Sequence, residues 1–287
     1  MKNLSWVIFL ALVGLDLLVW QQIIFLDRSG SPKIYFLDVG QGDSTLVQFP
    51  TGVQILTDAG PSKKVTVELE KVLGETDRYI DLAVITHPQL DHFNGFNEIL
   101  ERYEVGAFIV NGRGVELREW ENLIAKIKEK KIPVIILTAG DKIKNAQNKI
   151  NILSPDQNFI QSGELNDTSL VTKIETGNLK ILLTGDIGQN LEKYLVQKFG
   201  PALKADILKI PHHGSKYSSS DEFLKNVNPE IAVIEVGDNR YGHPTEETLA
   251  RLGKTDILKV LRTDRDGTIK TVAEDSRLKF FSAQIDK

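Results

Sequence analysis

The longest apolar stretch of the chain is at its start: from Leu4 to Leu26 the exceptions are Ser5, Asp16, Gln21 and Gln22. About 20 such residues cross a bilayer as a helix, so the pattern predicts a transmembrane helix. Trp6 and Trp20 fall near its two ends, where amphipathic rings favour the membrane interface. No small-x-small cleavage site follows, which favours an uncleaved anchor over a signal peptide. Asp16 opposes this reading, at a cost of ~2.5–3.5 kcal/mol near mid-membrane. Lys2 and the amino terminus precede the helix, and Asp27 dilutes Arg28 behind it. That charge order places the following domain outside the cytoplasm, on a single-pass anchor. The expected organisation is an anchor and linker over 1–30, ending in the turn-rich Asp27–Pro32, and one domain over 31–287.

Beyond the linker, short apolar runs rich in Ile, Val, Leu and Phe predict strands at Lys33–Val39, Ser44–Phe49 and Val53–Thr57. Helical spacing follows at Val65–Leu73, Phe93–Tyr103 and Leu117–Lys130, alternating with strands at Leu82–Thr86, Ala107–Val110 and Pro133–Leu137. The second half starts again with strands at Ile150–Leu153, Ser169–Glu175 and Leu179–Thr184, the last two joined by a Thr-Gly-Asn turn that reads as a hairpin. Helices at Leu191–Phe199, Glu222–Val227 and Glu246–Leu252 then alternate with strands at Asp206–Ile210, Ile231–Val236 and Leu258–Leu261. Strands at Thr268–Val272 and Leu278–Phe281 close the chain. Two halves, each opening on strands and continuing in alternation, predict an α/β fold of two mixed sheets with helices outside, an αββα sandwich.

Composition narrows the chemistry. With 41% hydrophobic and 26% charged residues the chain is globular, and a net charge of -4 supplies no global basic field for nucleic acid. Cysteine is absent, so disulfides, thiolate metal sites and a cysteine nucleophile are excluded. Any metal must be held by imidazole and carboxylate. The 5 histidines all lie at the ends of apolar strands or in the loop just beyond one. His87, Asp91 and His92 follow Leu82–Thr86; Asp186 ends Ile181–Leu183; His212 and His213 follow Asp206–Ile210; His243 lies in the loop after Ile231–Val236. A lone strand-end Asp is ordinarily a helix cap. Three strand ends delivering His and Asp to one edge instead make a site for one or two divalent ions, zinc or manganese by ligand type.

The spacing His87-x-Gln89-x-Asp91-His92 resembles the HxHxDH motif of the metallo-β-lactamase superfamily, and Asp58 in Thr57-Asp58-Ala59-Gly60 matches its preceding aspartate. The likeness is closer to the hydrolase domain of ComEC-type DNA-uptake competence proteins. Phe36–Ser44, Asn166–Ser169, Leu182–Asp186, Pro211–Ser215, Asn239–Pro244 and Arg262–Gly267 match that family's FLDVGQGDS, NxxS, LLTGD, PHHGS, NRYGHP and RTDxxG segments in order. No segment of this sequence resembles that family's many-helix membrane channel, so the expectation is the hydrolase domain alone on one anchor.

The resemblance implies a metallo-β-lactamase fold and a metal-dependent phosphodiesterase or nuclease acting on DNA. It implies a metal sphere of His87, Asp91, His92, Asp186 and a PHHGS histidine, with Asp186 bridging two metals and Asp58 holding the ligand loop. The sequence does not separate His212 from His213; His212 is taken as the ligand, with His213 and His243 facing the scissile group. Gln41 and Asp43 could line the mouth. Gln89 stands where the superfamily has His and the competence relatives commonly Asp, so the first metal is expected to be loosely held. Asn94 stands where the motif usually reads Gly. Lys209, Lys216, Arg240, Arg262 and Arg265 are expected around the phosphate oxygens. The alternatives are a small-phosphoester hydrolase and a metal-poor, non-catalytic binding module.

Overall fold

The computed structural model describes residues 2–25, 30–274 and 277–282. Of the expected linker, Asp27, Arg28 and Ser29 lie outside the described residues. Helix α1 (Lys2–Phe25) forms where expected. It does not make the expected membrane span: among the described residues no helix is long and apolar enough to cross a membrane. The apolar run of α1 is interrupted by Asp16, a costly residue near mid-membrane. The single-pass anchor and the extracytoplasmic placement that followed from it are corrected accordingly.

The first half of the chain lays down β1 (Lys33–Phe36), β2 (Thr45–Gln48), β3 (Gln54–Thr57), α2 (Lys64–Leu73) and β4 (Tyr79–Val84). Then come α3 (Leu90–Phe93), α4 (Phe96–Arg102), β5 (Glu104–Val110), α5 (Arg118–Glu129) and β6 (Val134–Ile136). The second half runs through β7 (Lys142–Asn145), β8 (Asn148–Ser154), α6 (Gln157–Ile160), β9 (Val171–Thr176), β10 (Leu179–Leu183), α7 (Gln189–Phe199), β11 (Ile207–Lys209), α8 (Asp221–Val227) and β12 (Ile231–Ile234). It ends with α9 (Glu246–Leu252), β13 (Lys259–Arg262), α10 (Thr263–Asp266), β14 (Ile269–Glu274) and β15 (Arg277–Ser282).

The strands form an 8-stranded sheet, β15-β14-β1-β2-β3-β4-β5-β6, and a 7-stranded sheet, β13-β12-β11-β10-β9-β8-β7. Three apolar layers hold them. Ile34, Val47, Ile55 and Val84 meet Ile174, Ile181, Ile207 and Val233 between the sheets. Leu56, Leu69, Phe93 and Phe96 pack helices on the outside of the first sheet, and Leu182, Leu195, Leu208 and Phe223 do so on the second. This is the expected αββα sandwich. The β9–β10 hairpin forms as expected, with Thr176 opposite Leu179 and Gly177 at φ +57° in the turn. The β7 strand was not expected, because Lys-Ile-Lys-Asn carries too little apolar signal.

Within each sheet the strands that carry candidate ligands run parallel: β3–β4–β5 in one, β10–β11–β12 in the other. Their C-terminal ends therefore open on the same edge, where α/β layers place their sites. The helix expected at Phe93–Tyr103 is broken into α3 and α4. Gly95 donates its N–H to Gly60 O at 2.8 Å, Asn94 Nδ2 donates to Pro61 O at 2.7 Å, and a Cβ on Gly95 would sit 1.9 Å from Ala59 O. The break thus clamps the loop carrying His87, Asp91 and His92 to the loop carrying Asp58.

Candidate metal centre

Asp58 organises the first ligand loop. Its Oδ1 accepts from Thr86 N at 2.9 Å, and its Oδ2 accepts from Thr86 Oγ1 at 2.7 Å and from His92 Nδ1 at 2.8 Å. With Nδ1 so engaged, His92 presents Nε2 outward, 3.2 Å from Asp186 Oδ2. His213 is set in the same manner: Nδ1 donates to the Glu235 carbonyl at 2.8 Å, and Nε2 lies 3.3 Å from both Asp91 Oδ2 and Asp186 Oδ2. Fixing one ring nitrogen so that the other is free is how proteins orient imidazole ligands. Asp58, His212 and His213 all take left-handed backbone angles, φ +58°, +52° and +51°. Non-glycine residues there are strained and cluster at functional sites.

Asp91, His92, Asp186 and His213 each offer a ligand atom within 4.8 Å of the others. His92 Nε2, His213 Nε2, Asp186 Oδ1 and the neighbouring His87 Nε2 are buried without a hydrogen-bond partner among the described residues. A converging set of bare imidazole nitrogens and carboxylate oxygens fits a divalent ion of the zinc or manganese kind. Of the expected set, Asp91, His92 and Asp186 fall in this cluster, His213 joins it, and His87 and His212 lie outside it. His212 lies on the cleft wall, its ring nitrogens 3.3 Å from Asn166 Nδ2, with the His243 ring 5.6 Å away. The His87 ring lies 4.2 Å from that of His92, tilted by 52°, and its Nδ1 meets Thr86 Oγ1 at 3.0 Å. Gln89 is not free, since its amide nitrogen donates to Asn166 Oδ1.

The electrostatics are those of a cation site. Burial pushes His92 and His213 down, but the Asp186 and Asp43 carboxylates, joined at His92 by Asp58, outweigh it and hold both well above the ordinary histidine value. Burial would raise Asp186, yet His213, His92 and Lys209 keep it well below the carboxylate range. His87, buried and next to His92, falls to about 3, and His243 falls to about 4 through burial and its His212 neighbour. Both are neutral at physiological pH.

Two buried groups were not anticipated in these roles. Lys209, expected near the phosphate, is enclosed beneath the centre, ion-paired with Asp43, donating to Gly185 O at 3.0 Å and 3.5 Å from Asp186 Oδ1. Glu235 accepts from Ser44 N at 2.9 Å and Thr45 Oγ1 at 3.0 Å, and burial followed by the nearby Asp43 raises it to about 8. The signal was present: a Lys inside Ile207–Lys209 and a Glu following Ile231–Ile234 interrupt buried apolar strands, where charges occur only when paired. Arg262 is also taken, by Asp264 at 2.6 Å. Lys216, Arg240 and Arg265 remain exposed. Asp43 is buried rather than at the mouth, while Gln41 does line it. Gly42 permits this packing, since a Cβ there would sit 2.3 Å from Asp91 O.

The centre opens into a cleft of about 370 Å³ lined by Gln89, Asp91, Asp186, His212, His213 and His243 among others. A larger hollow, about 470 Å³, lies at the opposite edge beside the starts of β11 and β12 and contains no histidine.

Residues 37–237 match the family described as the metallo-beta-lactamase superfamily, and the chain belongs to it. It is similar to ComE operon protein 3 of Bacillus subtilis, 30% identical over 260 residues, covering 84% of this chain and 33% of that protein. It is also similar to Competence protein ComA of Neisseria gonorrhoeae, 41% identical over 241 residues, covering 81% of this chain and 31% of that one. The chain thus spans about a third of the length of these relatives. Among solved structures, the metallo-beta-lactamase fold protein YhfI from Bacillus subtilis superposes with a TM-score of 0.54 at 11% identity, over 80% of this chain and 95% of that one. This shows a shared fold.

Proposed function

We propose that the chain is a metal-dependent hydrolase of phosphodiester bonds, with DNA as its substrate. The observation that carries this reading is the convergence of Asp91, His92, Asp186 and His213, their ligand atoms within 4.8 Å of one another, at the floor of an open cleft. Those four residues would hold a divalent ion, which would lower the pKa of a water from ~15.7 toward ~7 and polarise a phosphoryl oxygen. The residues of the chain do the rest. Asp186, kept anionic by His92, His213 and Lys209, orients the water by accepting its hydrogen bond. His212 and His243, held neutral at the cleft wall, donate N–H groups to the substrate's oxygens. Lys216 and Arg240, both exposed beside the site loops, supply positive charge to a polyanion. The likeness to competence proteins supports DNA over a small phosphoester.

The reaction class is tested with a panel. The full chain, loaded with manganese or zinc, is expected to hydrolyse bis(p-nitrophenyl) phosphate and DNA faster than p-nitrophenyl phosphate or a thioester. Preferential cleavage of the thioester or the monoester would show the wrong class. A bound metal without any of these activities would favour a binding module.

A further inference from the structure

Tyr241 stands at the lip of the cleft with 61% of its surface exposed. The fold does not need its ring. The turn that carries it is held by Asn239, whose Oδ1 accepts from the backbone N–H of Tyr241 and of His243, both at 3.0 Å. Asn239 Nδ2 donates in turn to Gly237 O at 2.9 Å and His243 O at 2.8 Å. Gly242, at φ +73°, completes the reversal in a conformation that costs only glycine little. A large ring is thus fixed in place and left in water by a turn built without it.

Its surroundings describe a ligand. The ring lies at 25° to the His243 imidazole with centroids 5.9 Å apart, and His243 leads through His212 to the cleft wall. The Arg240 guanidinium sits over the same ring at 5.5 Å. On the neighbouring loop, Lys216 covers the 69%-exposed Tyr217 ring at 5.2 Å. Exposed aromatic faces interleaved with cations are how proteins hold single-stranded nucleic acid, bases stacking on the rings while the cations meet phosphates.

The geometry points to Tyr241 as a stacking platform for an unpaired base of a DNA strand whose neighbouring phosphate lies over the metal centre. This rests on the phosphodiesterase reading above and names the form of DNA that the site takes. A base in a duplex already has both faces covered, so it offers Tyr241 nothing to stack on. A strand without bases keeps its contacts to Arg240 and Lys216 but gains nothing from the ring.

The test uses the full chain and two fluorescent dodecamers, thymidine and abasic, with equal phosphate content. Binding is followed by anisotropy in EDTA, where no cleavage occurs, and cleavage separately with manganese. Stacking contributes about 1–3 kcal/mol per base, so Tyr241→Ala should weaken binding of the thymidine strand by about 5- to 150-fold. KM for that strand should rise in parallel with kcat little changed. Affinity for the abasic strand should stay within about twofold, and Tyr241→Trp should restore thymidine-strand binding. Equal loss on both strands would show that Tyr241 acts by propping His243, and overturns the inference, as does tight binding of duplex that depends equally on Tyr241. The anisotropy arm reports on Tyr241 even if no cleavage is seen, so failure of the catalytic reading and failure of the platform are distinguishable.

Discussion

Lys209 and Asp43 form an ion pair with both side chains enclosed, 2% and 4% exposed, directly beneath the carboxylate of Asp186. Burying a lysine is costly, and here its neighbours offset the cost: despite burial, Asp43, Asp186 and Glu235 hold the ammonium above the ordinary lysine value. The pair connects the Phe36–Ser44 segment of the first sheet to β11 of the second. It also places a permanent positive charge behind the carboxylates of Asp43 and Asp186.

Removal of one partner should therefore be severe. Lys209→Met strands the Asp43 carboxylate, and breaking a buried pair costs about 3–5 kcal/mol. Urea unfolding in EDTA is expected to show a loss of that order, with the Asp43→Asn, Lys209→Met double variant recovering much of it. A loss under about 0.5 kcal/mol in Lys209→Met would refute a structural role, since such values are ordinary for surface changes.

Metal uptake should release protons. His92 and His213 are held above the usual histidine value by carboxylates, so near pH 7 they carry protons that a metal must displace. Their protonated form competes with the ion, so affinity rises as pH rises, by up to about tenfold per displaced proton per pH unit. Calorimetric titration of the metal-free chain in buffers of different ionisation enthalpy should find between one and two protons released. Uptake with no proton release would place the ion elsewhere.

Gln89 limits the second ion. Its amide is neutral and already engaged with Asn166, so the position beside His87 lacks an anionic ligand from residue 89. The native chain is expected to retain closer to one tightly bound metal than two, by elemental analysis after dialysis. Gln89→Asp should raise that ratio and lower the metal concentration for half-maximal activity by ~10–100-fold. Two equally tight ions, unmoved by Gln89→Asp, would mean another group completes the first sphere.

The two PHHGS histidines should separate cleanly. His213→Ala removes a member of the cluster and is expected to lose the tight metal, whereas His212→Ala should keep it and lose rate. Equal metal retention by both variants would return the ligand assignment to the open choice that the sequence left.

The layers and the site edge were legible in the sequence because apolar strand runs and the residues ending them are local signals. Leu82–Thr86 followed by His87 needs no knowledge of the rest of the chain. The choice between His212 and His213 was not legible: both are left-handed, and only the Glu235 carbonyl, 22 residues on, turns His213 inward. Lys209 and Asp43 are 166 positions apart in sequence, and their pairing depends on how the two sheets face each other. The anchor expectation failed for another reason. Apolar length suggested a span, but α1 carries Asp16, and among the described residues no helix is long and apolar enough to cross a membrane.

Whether Asp91, His92, Asp186 and His213 hold a divalent ion that supports phosphodiester hydrolysis is decided by the rate at which the full chain cleaves labelled single-stranded DNA as manganese or zinc is titrated in, beside Asp186→Ala. Cleavage should be saturable and metal-dependent, abolished by EDTA and lowered roughly a thousandfold by Asp186→Ala, the scale of losing an electrostatic element of the transition state. A metal-loaded native chain that leaves the DNA intact, or an Asp186→Ala chain that cleaves it at the native rate, would contradict that role.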